Sequence, residues 1–185
     1  MSRFKVLAAN PRRSLAALAT VLVAVGVTGA SGANFSASTA NPSNTFTAGT
    51  LTMSNSKNNA AILTAANLRP TVAGAPGTVD ITNTGSLSAP FTLDKGTVTD
   101  SDATYKMSTK LNLVIMDCGT DLDCTSGASI SVYSGPLSAM GTGIALGTFG
   151  AGVGHRYEFT PTLDTTADNN YQSKFTTAQF VWNAS

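Results

Sequence analysis

Residues 155–163 read HRYEFTPTL. His155, Tyr157, Phe159 and Leu163 fall on one side of this run, and Arg156, Glu158, Thr160 and Thr162 on the other. Aromatic residues recurring with a period of two mark a half-buried β-strand, because successive side chains of an extended backbone point to opposite faces. Pro161 has no N–H to give to a ladder, so an edge or a bulge is expected there.

The same pattern recurs on both sides of this stretch. GTVDITN (77–83) alternates Val79 and Ile81 with Asp80 and Thr82, then meets the turn residues NTGS, after which APFTLD (89–94) follows. TKLNLVIMD (109–117) puts Leu111, Leu113 and Ile115 on one face and Asn112, Val114 and Met116 on the other; with both faces largely apolar it reads as a central strand. SISVYSG (129–135) sets Ile130 and Val132 on one side. The Gly-rich stretch GTGIALGTFGAGVG (141–154) reads as turns around a short strand, IALGTF. KFTTAQFVWN (174–183) closes the series, with Phe180 and Trp182 on one face, and NTFTAGTLTM (44–53) opens it. Only ILTAANL (62–68) could pass for a helix, and Pro70 would end it. Short strands separated by Gly, Pro, Asn and Asp predict an all-β, antiparallel sandwich. Val79, Ile81, Leu113, Ile115, Tyr157, Phe159 and Phe180 are its expected core.

The N-terminus is of another kind. Arg3, Lys5, Arg12 and Arg13 precede the apolar run LAALATVLVAVGV (15–27), and small residues follow through Ala33. A basic head, an apolar middle and a small-residue exit make a secretory signal peptide; the run is shorter than the roughly 20 residues a membrane-crossing helix needs. Small residues precede two cut positions, after Ala30 and after Ala33. Cleavage between Ala33 and Asn34 would leave residues 34–185 as the mature chain, with no stable membrane span. The leader takes four of the eleven basic residues and none of the ten acidic ones, which leaves a formal charge of −3. No Lys/Arg cluster remains to attract nucleic acid or an anionic membrane. Charged residues make up 11% of the chain, against about 25% in typical soluble domains. Thr, Ser, Asn, Gly and Ala take their place, which suits an extracellular β-protein.

Chemistry-bearing residues are sparse. Cys118 and Cys124 are the only cysteines, and in an exported chain a disulfide between them is expected. The rival, a metal or redox site, would need a C-x-x-C spacing or more ligands. Asp117, Asp121 and Asp123 flank the cysteines, but the Asp-x-Asp-x-Asp-Gly calcium pattern is absent. A solvated acidic loop is favoured, with calcium as the alternative. His155 is the sole histidine and Glu158 the sole glutamate, so the paired histidines of a zinc peptidase are missing. No nucleophile elbow, phosphate loop or dinucleotide fingerprint occurs. No catalytic residue, cofactor-binding residue or metal ligand is assigned, and a non-enzymatic protein is expected. Trp182 and Phe180 read as core, with a sugar-stacking platform as the alternative.

Several stretches taken in order resemble the TasA/camelysin family of secreted proteins. They are GANFSAST (32–39), NTFTAGTLTM (44–53), AANLRP (65–70), VDITNTGSLSAPFTL (79–93) and NNYQSKFTTAQFVWNA (169–184). The resemblance spans nearly the whole chain after the leader. It implies a jelly-roll-like β-sandwich, export through a SipW-type signal peptidase, and a place in biofilm-matrix fibres. Within such fibres the N-terminal segment of one subunit would complete the sheet of the next, so the partner implied is a second copy of the chain. The organisation expected is a signal peptide (1–33), an arm (34–43) and a sandwich (44–185). The arm residues Asn34, Phe35, Ser36, Ala37, Ser38 and Thr39 would be the donor, and Pro42 would divide arm from domain. The rival reading of 34–43 is a frayed terminus. A secreted binding module or adhesin is the second function class, and a camelysin-like metallopeptidase the third. N-terminal sequencing of the secreted protein should give Asn34 as the first residue; a start at Met1 or near Leu15 would remove both the leader and the arm.

Overall fold

A computed structural model describes residue 45 and residues 47–125 and 129–185. The leader, the Ala33–Asn34 junction and the arm residues Asn34, Phe35, Ser36, Ala37, Ser38 and Thr39 lie outside the described residues. From Thr47 onward the chain forms one unit. Its eight strands are β1 (Met53–Asn55), β2 (Gly77–Asn83), β3 (Ala89–Asp100), β4 (Leu111–Asp117), β5 (Ile130–Pro136), β6 (Ile144–Phe149), β7 (Gly154–Leu163) and β8 (Thr176–Ala184). Helix occurs among the described residues only as three short 3-10 turns, Met107–Thr109, Leu137–Ala139 and Asn169–Tyr171.

The strands make two antiparallel sheets. One has five strands in the order β1-β2-β7-β4-β5, and the other three in the order β6-β3-β8. Their apolar faces meet in a single core: Val79, Ile81, Leu113, Ile115, Tyr157 and Phe159 from the larger sheet, Ala89, Phe91, Leu93, Phe149 and Trp182 from the smaller. The protein is therefore an all-β sandwich. Aromatic rings bridge the layers. The Phe149 and His155 rings stack at 4.3 Å, Tyr157 and Trp182 lie 4.8 Å apart, and Phe159 meets Phe180 edge-on at 4.9 Å. Each such pair adds about 0.5–1.5 kcal/mol beyond the area it buries.

HRYEFTPTL lies at the centre of this arrangement. β7 pairs with β2 on one side, Val79 opposite Tyr157, and with β4 on the other, Ile115 opposite Phe159. Pro161 sits within this internal strand because its neighbour changes there. The β2 ladder ends at Gly77 opposite Phe159, and beyond it the Pro161 carbonyl accepts from Gly74 N–H at 2.7 Å. The nitrogen without a hydrogen faces that irregular segment, a local edge inside the sheet.

Two expectations change. The strand expected over 44–53 begins only at Met53, and the described residues ahead of it are not strand. They still run along the β2–β3 turn, but Thr52 O accepts from both Thr84 and Gly85, and Thr50 O from both Ser86 and Leu87. A carbonyl shared by consecutive amides follows a turn, not a ladder. Ile130, the first residue of β5, is 68% exposed. The β4–β5 register shifts between Ile115 and Met116, which leaves Val132 as an extra residue and sets Ile130 opposite Asp117, on the side of Leu113 and Ile115. ILTAANL is irregular, with Asn67 at φ 54°. Ile62 and Leu63 are tucked against the core, where their backbone passes so close to Gly77 that a β-carbon there would strike the Ile62 carbonyl.

Asn83 is fully buried and polar. Its Nδ2 donates to Leu87 O at 2.7 Å and to Phe149 O at 3.0 Å, and its Oδ1 accepts from Gly85 N–H at 3.0 Å. Removing the carboxamide leaves Leu87 O without its partner and takes the shorter of two bonds from Gly85 N–H and Phe149 O, which keep Thr52 O and Ser88 Oγ. Asn83→Ala should destabilise the fold by about 2–4 kcal/mol, read as a lower urea midpoint with an unchanged slope. The exposed Asn58→Ala should stay within about 0.5 kcal/mol.

Candidate functional site

A sandwich with two open sheets has four edges, and three of them are blunted. β1 has only three residues. β5 carries a bulge and ends in Gly135-Pro136. β6 is short, has a register shift against β3, and bends at Gly147, whose φ of 93° favours glycine. The fourth, β8, reads TTAQFVWNA over nine residues. It contains no Pro, Gly or charged residue, the usual guards of an exposed edge. Among the described residues no strand or backbone hydrogen bond covers its outer edge.

A groove of about 1300 Å³ lies along β8. Its walls are the irregular segment 55–70 on one side and residues 167–180 with Trp182 on the other, and Leu111, Leu113 and Leu163 form its floor. A smaller groove of about 520 Å³ lies between β1 and the second half of β8. On the inner face of β8, Thr176, Ala178 and Phe180 are only half-buried, whereas Trp182 is buried. Phe175, just before the strand, is 62% exposed. The Trp182 indole N–H is buried and has no hydrogen-bond partner. A groove that is apolar at its base and bounded by a bare strand edge suits an extended peptide better than a compact small molecule.

The cysteines do come together. Cys118 and Cys124 form a disulfide with Cα atoms 4.7 Å apart, at the end of β4. Beside it the Asp117 carboxylate accepts from His155 Nδ1 at 2.8 Å and from Gly119 N–H at 2.8 Å. The Tyr157 hydroxyl is buried near Asp117 without a well-formed hydrogen bond. Burial first, and the Asp117 charge second, push its ionisation far above the ordinary tyrosine range. His155 and Asp117 resemble two members of a hydrolytic triad. A nucleophile would have to reach the imidazole, and among the described residues only Asp117 hydrogen-bonds to that ring.

The acidic loop does not converge on a cation. Asp117 faces His155, and the Asp123 carboxylate accepts from Thr125 N–H and Oγ1, which hold its ionisation below the usual range. Among the described residues no group of three or more His, Cys, Asp or Glu could hold a metal ion. Glu158 sits in β7 at odd spacing from His155, hence on the opposite face. Trp182 and Phe180 belong to the core side of β8 and form no exposed sugar platform. One cross-strand pair was not foreseen. Arg156 grips Asp80 with two hydrogen bonds of 2.7 and 2.9 Å and lowers the ionisation of that carboxyl. Both side chains were legible as outward-facing; their register was not. As a partly exposed pair it contributes up to about 1 kcal/mol.

No helix of the described residues is long and apolar enough to cross a membrane. No protein-family model matches the chain, and no curated protein matches it.

The disulfide closes a loop with a sequence separation of six, for which chain entropy gives about 2 kcal/mol. Freshly isolated folded protein should show no reactive thiol. The Cys118→Ser, Cys124→Ser double variant should unfold at lower denaturant by that amount, with its β-sheet spectrum intact.

Proposed function

We propose that this chain is an exported, non-enzymatic structural protein of the cell surface or extracellular matrix that assembles with itself by strand addition. The observation that carries the proposal is β8: a long, uncharged, unguarded edge beside a groove with an apolar base. An added strand would satisfy the bare N–H and C=O groups of β8 and cover the half-buried side chains on its inner face.

The donor we assign is the arm of a second copy, residues 34–41. Its sequence, NFSASTAN, is uncharged like β8 and alternates with Phe35 as its one large apolar residue. Eight extended residues span about 26 Å and nine about 30 Å, so arm and edge match in length. The resemblance to the TasA/camelysin family points the same way, towards matrix fibres built by N-terminal strand donation. Its metallopeptidase alternative gains nothing from the geometry of His155 and Glu158.

Deletion of 34–41 should abolish assembly and leave a folded monomer, since the core formed among the described residues comes from Val79, Ile81, Leu113, Ile115, Tyr157 and Phe159. Phe35→Ala should weaken assembly more than Ser36→Ala. The measurements are electron microscopy and sedimentation of the secreted protein. Filaments that persist without the arm would overturn the proposal. So would an intact chain that stays monomeric at high concentration, which would turn the reading to a secreted binding module with 34–43 as a tether.

A further inference from the structure

The inner face of β8 is uneven along its length. Thr176, Ala178, Phe180, Trp182 and Ala184 share that face, because alternate residues of a strand point the same way. Phe180 and Trp182 are bulky, whereas Thr176 and Ala178 are small. Thr176 and Ala178 line the larger groove, while Ala184 lines neither groove. Room for a bulky side chain lies along the first half of the strand. The arm has the complementary profile. With Phe35 turned inward, its residues on that side are Phe35, Ala37, Thr39 and Asn41, one large side chain followed by smaller ones.

We infer that the arm of a second copy lies parallel to β8, with Phe35 beside Ala178 and its ring in the larger groove. The inference rests on the strand-addition reading and adds the direction and register of the donor. This register sets Ala37 beside Phe180 and Thr39 beside Trp182, so that large meets small at each step. It runs 34–41 along 177–184 in full and leaves Pro42, which has no N–H to give, just past the end of β8. The alternatives fit less well. An antiparallel arm with Phe35 beside Ala178 would pair only 34–37 with β8, which begins at Thr176. Moved to set Phe35 beside Ala184, it regains the strand, but the ring has no groove there. A parallel slip that sets Phe35 beside Thr176 puts the polar Asn41 against Trp182 and leaves Asn183 and Ala184 unpaired.

The test uses the full secreted chain with pairs of added cysteines. Ser36→Cys with Gln179→Cys joins two outward positions that the proposed register sets side by side, and Gln179 is exposed. Oxidised after assembly, this double variant should run as a covalent ladder of chains. Ser36→Cys with Asn183→Cys, which the antiparallel arm would bring together, should not. Ala178→Leu fills the space given to the Phe35 ring and should need about tenfold higher concentration to assemble. Should that variant misfold, the cross-links decide by themselves. A ladder from the 36/183 pair, no ladder from the 36/179 pair in protein that still assembles, or a link confined within single chains overturns the register and leaves strand addition standing. So does a folded Ala178→Leu variant that assembles like the unaltered chain. An unaltered chain that never assembles overturns both.

Discussion

The Asn83 carboxamide is where the two sheets are held to one another by something other than apolar contact. Asn83 ends β2 in the larger sheet, yet its side chain donates across the core to Phe149 at the end of β6 in the smaller one. The same group holds Leu87 and Gly85, which shape the turn that carries the chain between layers. Its own backbone is engaged as well, with Val153 and Gly152 of the β6–β7 turn. A buried amide with every atom satisfied fixes one register, whereas a wholly apolar contact would tolerate sliding. The aromatic bridges from Phe149, Tyr157 and Phe159 then fall into place, because β7 starts from the turn that Asn83 anchors.

Given that anchor, the asymmetry of the sandwich explains the groove. Three strands cannot cover the inner face of five. The uncovered part is closed by segment 56–70, which has no regular strand or helix and meets the core through Ile62 and Leu63. Blunting of three edges out of four leaves β8 as the place where another chain can add without displacing anything already paired.

Much of the fold was legible because alternation is a local property. The bounds of β2 and β6 follow from GTVDITN and IALGTF as read, and the expected core residues are buried apart from the half-buried Phe180. What the sequence hid was pairing. Whether Val132 is an extra residue depends on the partner strand, so the register shift between Ile115 and Met116 had no local signal. The first strand was overread because Thr-rich alternation in 44–53 looks the same whether its carbonyls serve a ladder or a turn. The groove was hidden for the same reason: TTAQFVWNA becomes an open edge only once the order β6-β3-β8 is known. The disulfide, by contrast, needed only two cysteines and a short spacing.

The absence of charge on β8 has a kinetic side. Two surfaces that carry opposite charges find each other faster than diffusion alone allows, and salt slows them. From Thr176 to Ala184 there is nothing to attract a partner at a distance. A chain joining there must arrive by unsteered collision, for which rates of about 10⁵–10⁶ M⁻¹s⁻¹ are ordinary, and must then extend before it gains anything. If the strand-addition proposal holds, growth at such an edge would be slow to begin and governed by how concentrated the protein becomes. Under the proposed matrix role, such traits would suit a material that stays apart inside a cell and sets only where it accumulates.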